Sequence, residues 1–342
     1  MLDVRADLSD LAEAVPAAVV ERLRGARSIL AVAHENPDAD TLGATLGVAM
    51  LGAALGAHVT MACADPPPAG YDLMPGIAGF RPDPDAAVRY DLLVISDAGP
   101  LERTGALFDR HRDLMLSLPR VTLDHHLSSD ASGPADWVDP EAAATCEMVA
   151  LLAVRLGVPL DLGNGALATN LMAGLVTDTA TFAHPNTTPR TLRVAAALME
   201  AGAPLSDLSR RFYRTKPVPQ LRLLGRVLAR LESSPGGAIV WTTLLDEDLL
   251  VTGASPSHSD GLIDLLAQAD PAEVALVFKE VSGATRVSVR TKPGGVDATE
   301  LTGRFGGGGH ARAAGASVPH PLRAAVPLVV AEAERLASLV RR

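Results

Sequence analysis

Cysteine is scarce. Cys63 and Cys146 are the only two in 342 residues, too few for a disulfide scaffold, and a reducing cytosol suits them better than secretion. Both read as packing residues. Aromatic residues make up 3% of the chain and hydrophobic residues 48%, so the core must be assembled from Ala, Leu and Val. Positive charge is also short. A net charge of −10 argues against coating long nucleic acid by bulk electrostatics. It leaves room for a small anionic substrate if the positive charge is local or carried by metal ions. No hydrophobic run is long enough for a confident bilayer span. The most apolar stretch, residues 41–57, has no charges but contains Gly43, Gly47, Gly52 and Gly56 and abuts an acidic turn, so it reads as a buried helix. The first seven residues, Met1 to Asp7, are too acidic for a signal peptide. The expected location is therefore cytoplasmic, with no membrane partner.

What is present starts at His34-Glu35-Asn36-Pro37-Asp38-Ala39-Asp40. An apolar run, 28–33, leads into this turn and a helix-prone segment, 41–55, follows. One histidine and two aspartates thus sit at the carboxyl end of an expected strand, the edge where ligands bind in open α/β sheets. Asp38 and Asp40 repel unless a cation neutralises them. Imidazole with carboxylates suits Mn²⁺, Zn²⁺ or Fe²⁺ better than Ca²⁺. The bland alternative is a solvated loop with an Asp cap on the next helix.

The rest of the chain alternates. Strands are expected at 28–33, 58–63, 91–97 and 120–124, and helices at 1–25, 41–55, 141–156, 163–175 and 188–201. This pattern predicts an α/β fold with a largely parallel sheet flanked by helices. Residues 204–232, broken by Lys216-Pro217-Val218-Pro219, are expected to be a helical linker. A smaller C-terminal α/β domain should follow, with strands at 238–244, 273–281 and 285–291 and helices at 258–269 and 321–340. The expected domains are 1–203, 204–232 and 233–342, with a catalytic cleft between the first and the last. At 342 residues, two domains fit the usual domain size.

Acidic and histidine positions recur at element ends. The run 91–96 ends in Asp97, the run 121–123 in Asp124-His125-His126, and the segment 174–177 in Asp178. A single strand-end Asp is usually a cap or turn former. Several in one half of the chain are hard to explain that way. Asp38, Asp40, Asp97, Asp124 and Asp178 buried together would repel strongly, and two divalent cations resolve the repulsion.

These motifs, His34-x-x-Pro37-Asp38-x-Asp40, Asp97, Asp124-His125-His126 and Asp178, resemble the DHH phosphoesterases in type and order. The C-terminal segments Arg286-Val287-Ser288-Val289-Arg290 and Gly306-Gly307-Gly308-Gly309-His310 resemble the DHH-associated C-terminal domain. The combination looks like the oligoribonuclease (nanoRNase)/pAp phosphatase branch, which also includes cyclic-di-AMP and pApA phosphodiesterases. One position departs: the fourth motif often reads Thr-Asp-Thr-Gly, and Ala180 replaces the glycine here, which bears on the loop shape and not on the ligand.

The resemblance implies two Mn²⁺ per active site, other divalent cations being alternatives. His34, Asp38 and Asp97 would hold one. Asp40, Asp97, His125 and Asp178 would hold the second, with Asp97 bridging. His126 would contact the substrate phosphate or reacting group, and Asp124 would orient a histidine. Two such metals can activate a bridging water near neutral pH and take up charge on the phosphoryl oxygens. The implied activity is hydrolysis of short oligoribonucleotides to mononucleotides and removal of the 3′-phosphate of pAp, with cyclic-di-AMP or pApA as alternative substrates. Arg290 and His310, with Gly307, Gly308, Gly309 and Arg286, would hold the far phosphate or base. On pattern alone, alternating Arg and Val is a strand with one solvated face. A glycine run is either a flexible linker or a backbone nest for an anion.

An inactive nucleotide-binding regulator of this kind should have lost a ligand, and none is missing. A pyrophosphatase is disfavoured by the nucleotide-reading type of C-terminal domain, and a long-strand exonuclease by the short, acidic chain. No stable complex with long nucleic acid is expected. The resemblance allows a homodimer, for which the sequence itself carries no signal.

Overall fold

The structure is a computed structural model and describes residues 7–127, 129, 133–281 and 283–340. The chain divides between Thr215 and Lys216 into two compact units.

The first unit opens with α1 (Ser9–Ala12) and α2 (Ala17–Gly25). One helix is expected here, but Pro16 has no N–H to continue the first and becomes the N-cap of the second. Next come β1 (Ser28–Val32), α3 (Ala39–Ala54), β2 (His58–Ala62), β3 (Leu92–Ser96), α4 (Ala106–Ser117), β4 (Arg120–Asp124) and β5 (Trp137–Val138). Four helices follow: α5 (Thr145–Leu156), α6 (Ala166–Asp178), α7 (Pro189–Glu200) and α8 (Leu205–Tyr213). The strands form one five-stranded sheet in the order β2-β1-β3-β4-β5, and every pairing is parallel. A parallel sheet must be covered on both faces. Here Ile29, Ala31 and Val94 face a core shared with α3, α5 and α6, while Leu30, Val32, Leu93 and Ile95 face the other side with Leu107, Phe108 and Met115 of α4. The strand order reverses between β1 and β3, the kind of switch point at which open α/β sheets take ligands.

Helix α3 forms as the composition predicts, apolar and buried for most of its length. Its glycines let neighbours close in. A Cβ on Gly43 would collide with the Asn170 carbonyl of α6 and Cys146 Sγ of α5, and one on Gly174 would collide with Asp40 and Cys146.

The segment expected to be a linker holds two helices, one in each unit. Leu208 of α8 is buried in the core of the first unit. Leu223 and Val227 of α9 (Val218–Leu228) are buried in the second. Arg211 of α8 pairs with Asp72 at 2.7 Å.

The second unit continues with β6 (Glu232–Ser233), β7 (Ile239–Leu244), α10 (Asp246–Thr252), α11 (Leu262–Leu266), β8 (Val274–Val281) and β9 (Ala284–Thr291). It ends with α12 (Ala298–Gly303), β10 (Gly308–His310), β11 (Ala313–Val318) and α13 (Leu322–Val340). The six strands run β10-β11-β9-β8-β7-β6, antiparallel except for β7 with β8. The helix expected at 258–269 is reduced to a 3₁₀ turn and the short α11, because Gly261 between them takes φ +76°. Val287 and Val289 pack against α12 and α13. Arg286, Ser288 and Arg290 therefore line the opposite face, as the alternation predicts. Among the described residues no helix is long and apolar enough to cross a membrane.

Candidate metal centre

The carboxyl ends of β1, β3 and β4 carry His34, Asp97 and the pair His125-His126 to one edge of the first unit's sheet. The residues predicted from sequence meet there. His34 Nε2 lies 3.5 Å from Asp97 Oδ2 and 4.0 Å from Asp38 Oδ2. His125 Nε2 lies 3.2 Å from Asp178 Oδ2, 3.5 Å from Asp97 Oδ1 and 3.9 Å from Asp40 Oδ2. The donor atoms of His34, Asp38 and Asp97 form one compact group and those of Asp40, His125 and Asp178 another. Asp97 faces both histidines, one carboxylate oxygen to each.

The histidine tautomers follow from their partners. His34 Nδ1 donates to the Glu35 carbonyl at 2.7 Å and His125 Nδ1 to the Ala142 carbonyl at 3.2 Å. A carbonyl only accepts, so each Nε2 is left facing the carboxylates. His126 Nδ1 lies 2.8 Å from Asp124 Oδ1, the orienting contact expected of Asp124.

Asp38 satisfies both readings of its sequence. Its Oδ1 accepts from the N–H groups of Asp40 and Thr41 as the N-cap of α3, while Oδ2 is the oxygen nearest His34. Asp97 sits in the left-handed region, φ +64°, which Asp tolerates better than most residues. Its N–H donates to the Leu123 carbonyl of β4 at 2.7 Å. Asp178 ends α6, which runs further than the helix expected at 163–175. Ala180, in the glycine position of the resembled motif, takes φ +47°, and Thr181 and Phe182 are also left-handed. The loop thus takes a glycine-like conformation without the glycine.

Groups outside the motifs hold this arrangement together. Asp40 is fully buried and accepts from the N–H groups of Thr145 at 2.7 Å and Cys146 at 2.9 Å, at the start of α5. A helix N-terminus offers free N–H groups and a partial positive charge to a carboxylate. The Thr145 hydroxyl donates to Asp97 Oδ1 at 2.9 Å. The Asn186 amide donates to the carbonyls of Ala143 at 3.0 Å and Asp178 at 3.2 Å, tying the approach to α5 to the end of α6. Most of these contacts use backbone atoms, which leave no signature in residue type.

The electrostatics is that of crowded acids. Burial, then the charge of Asp178, pushes Asp40 up to about 6. Burial, then repulsion from Asp40 and Asp38, holds Asp97 well above the carboxylate range. Burial also raises Asp178. For His125, burial favours the neutral ring, but the hydrogen bond to Asp178 and the charges of Asp40 and Asp97 outweigh it and raise the ring to about 10. Carboxylate oxygens and imidazole nitrogens in groups this close fit a divalent cation of the Mn²⁺, Fe²⁺ or Zn²⁺ type, and such a charge would reverse the repulsion. Asp124 differs. Burial would raise it, but hydrogen bonds from His126 keep it below the usual range.

Residues 28–176 match the model of the DHH family, N-terminal domain, and residues 247–338 match the DHHA1 domain. A bifunctional oligoribonuclease and PAP phosphatase NrnA of Thermus thermophilus is 31% identical over 88% of this chain and 87% of its own. The chain belongs to the DHH family. It is a phosphoesterase of that family and hence a hydrolase. The NrnA of Bacillus subtilis, also named a bifunctional oligoribonuclease and PAP phosphatase, is 31% identical over 58% of this chain and 62% of its own. An exopolyphosphatase-related protein from Bacteroides fragilis shares the fold, with a TM-score of 0.83, 21% identity and coverage of 96% and 98% of the two chains.

In the DHHA1 region, Arg290 pairs with Asp264 at 2.7 Å. Arg286, Ser288, Arg290 and Lys279 line a cavity of about 500 Å³. His310 is opposite Ala313 on β11, which is opposite Arg290 on β9, so His310 and Arg290 share a face about 10 Å apart. The glycine run is partly an edge strand and not a free nest. A Cβ at Gly307 or Gly309 would strike the β11 backbone, whereas Gly308 has open space. Arg312 does not join this face. Its guanidinium donates to the carbonyls of Lys292, Gly295 and Val296 and so braces a loop.

Proposed function

We propose that this phosphoesterase cleaves short oligoribonucleotides to mononucleotides and removes the 3′-phosphate of pAp, using two Mn²⁺ ions. The observation that carries the reading is His125 Nε2 within 3.2–3.9 Å of oxygens from Asp40, Asp97 and Asp178, in a chain whose relatives bear oligoribonuclease and PAP phosphatase names. His34, Asp38 and Asp97 hold one ion. Asp40, Asp97, His125 and Asp178 hold the other, and Asp97 serves both. When bound, the pair supplies Lewis-acid charge for the phosphoryl oxygens and lowers the pKa of water.

The protein's own groups supply the rest. Asp124 fixes His126 through Nδ1, so Nε2 faces the substrate and can give a proton or a hydrogen bond to a phosphate or leaving oxygen. Thr145 and the start of α5 keep Asp97 and Asp40 from turning away. In the second unit, Arg286, Arg290 and His310, with the backbone at Gly307–Gly309, bind the far phosphate or base of the substrate.

The test is AMP release from 5′-pApA with Mn²⁺ and with EDTA. Mn²⁺-dependent AMP is expected, and Asp97→Ala should abolish it. No AMP from metal-loaded protein would overturn the substrate class. Faster turnover of cyclic-di-AMP than of pApA and pAp would move the assignment to a cyclic-dinucleotide phosphodiesterase.

A further inference from the structure

Beside the metal centre the first unit has a small cavity of about 70 Å³, lined by Asp97, Asp124, His126, Ser129 and Arg103 among others. Its size suits one phosphoryl group. It equals roughly two waters' share of liquid volume and is far too small for a nucleoside. Arg103 is the cationic side chain among its lining residues that is charged at every working pH.

Arg103 is held at its backbone and free at its end. It lies on the 3₁₀ turn Leu101–Thr104. Leu101 of that turn is buried in the core beneath the sheet, and buried Thr104 bonds back to the Leu101 carbonyl at 2.7 Å. The Arg103 carbonyl accepts the Glu35 N–H at 2.8 Å, which ties the turn to the loop carrying His34 and Asp38. Yet the guanidinium makes no hydrogen bond or ion pair with any described residue. The nearby acids are already engaged: Asp124 by His126, and Asp97 by Thr145 and by the cations of the proposed reading. A guanidinium carried on an anchored turn, without a partner among the described residues and lining one cavity with His126, is suited to a phosphate oxygen, which its planar fork matches.

We propose that Arg103 binds the non-bridging oxygens of the phosphoryl group being hydrolysed, opposite His126, and stabilises the charge that builds on them. The inference rests on the phosphohydrolase reading above for its reaction and adds a residue that the motifs do not contain. The balance is that of hydrolysis. The P–O bond to the leaving oxygen breaks, an oxygen from water bonds to phosphorus, one proton of that water ends on the leaving oxygen, and Arg103 exchanges none.

The experiment compares wild type, Arg103→Ala and Arg103→Lys, each loaded with Mn²⁺. Binding of inorganic phosphate is measured by calorimetry, and steady-state rates are measured on pApA. Phosphate affinity should fall at least tenfold in Arg103→Ala. Its kcat should fall about 100-fold, as for loss of one oxyanion donor, with KM changed only a few-fold. The Lys variant should lie between, because it keeps the charge without the fork. Mn²⁺ affinity and Tm should not move, which separates this role from a structural one. Equal phosphate affinity in wild type and Arg103→Ala overturns the proposal whatever happens to turnover, and so does a wild type that binds no phosphate. Weakened phosphate binding by the variant, together with a wild type that does not cleave pApA, would uphold Arg103 and reject the oligonucleotide substrate class.

Discussion

The Thr145 hydroxyl donates to Asp97 Oδ1 at 2.9 Å, from the first turn of the helix whose N–H groups hold Asp40. One residue therefore orients both carboxylates around which the centre is arranged. Thr145→Val keeps the shape and removes the donor. Groups that orient metal ligands typically cost 10–100-fold in affinity when lost, so Mn²⁺ affinity by calorimetry should fall by about tenfold or more. Thr145→Ser should restore it. A Val variant with wild-type affinity would show the hydroxyl to be idle.

Metal uptake should release protons. His125 is raised to about 10 by its carboxylate neighbours, so at pH 7 the metal-free ring is charged, and a ligand imidazole must be neutral. Calorimetry in two buffers of different ionisation enthalpy should find at least about one proton released on Mn²⁺ binding at pH 7, that of His125, with protons held by the raised carboxylates Asp97 and Asp40 adding to it. Affinity should climb as pH rises toward the His125 value. Binding heats that are independent of the buffer would remove His125 from the ligand set.

Ala180→Gly should stabilise the protein. Ala180 holds φ +47°, a conformation that costs a residue with a Cβ about 1–2 kcal/mol. Glycine recovers that cost but gives back roughly 0.4–1 kcal/mol through the freer unfolded chain. The expected net gain is about 0.5–1 kcal/mol in denaturant unfolding of the metal-free protein. A loss of stability would mean that the turn does not need a left-handed residue here.

In the second unit Asp248 is fully buried and takes hydrogen bonds from Arg226 and Arg230 and from the Leu245 N–H. Burial alone would raise it, but these partners hold it below the usual carboxylate range. A depressed folded value means that the stabilisation is present above the unfolded value, near 3.8, and is lost as pH falls through the folded one. Asp248→Asn should cost about 2–3 kcal/mol at pH 7, on the scale of a charge-assisted hydrogen bond. The gap between the two proteins should stay level down to about pH 4 and narrow below it. A gap that grows on acidification would contradict the ion-pair account.

Much of the centre could be read in the sequence because its donors are side chains placed where strands end. His34, Asp97 and His125 each follow an apolar run, and a parallel sheet brings such ends to one edge. The supports around them were not legible. Ala142 and Cys146 contribute a carbonyl and an N–H, which every residue has, and Thr145 lies outside every motif in a segment expected only to be helical. In the second unit, β11 was missed because Ala313-Ala314-Gly315-Ala316 lacks the branched and aromatic residues that mark strands. The segment 204–232 looked like a linker because its prolines interrupt it, whereas its two helices are held by Leu208, Leu223 and Val227.

Gly43 and Gly174 set the spacing of α3, α5 and α6, and the Cys146 thiol and the Asp40 carboxylate take up the space that side chains on these glycines would need. The scarcity of aromatics thus has a second meaning. A bulky ring in this interface would fill space and push the helices apart, drawing Asp40 out of reach of the N–H groups of Thr145 and Cys146. Attempts to harden the protein by enlarging core side chains should therefore spare this crossing, because added volume there would be taken from the geometry of the acids.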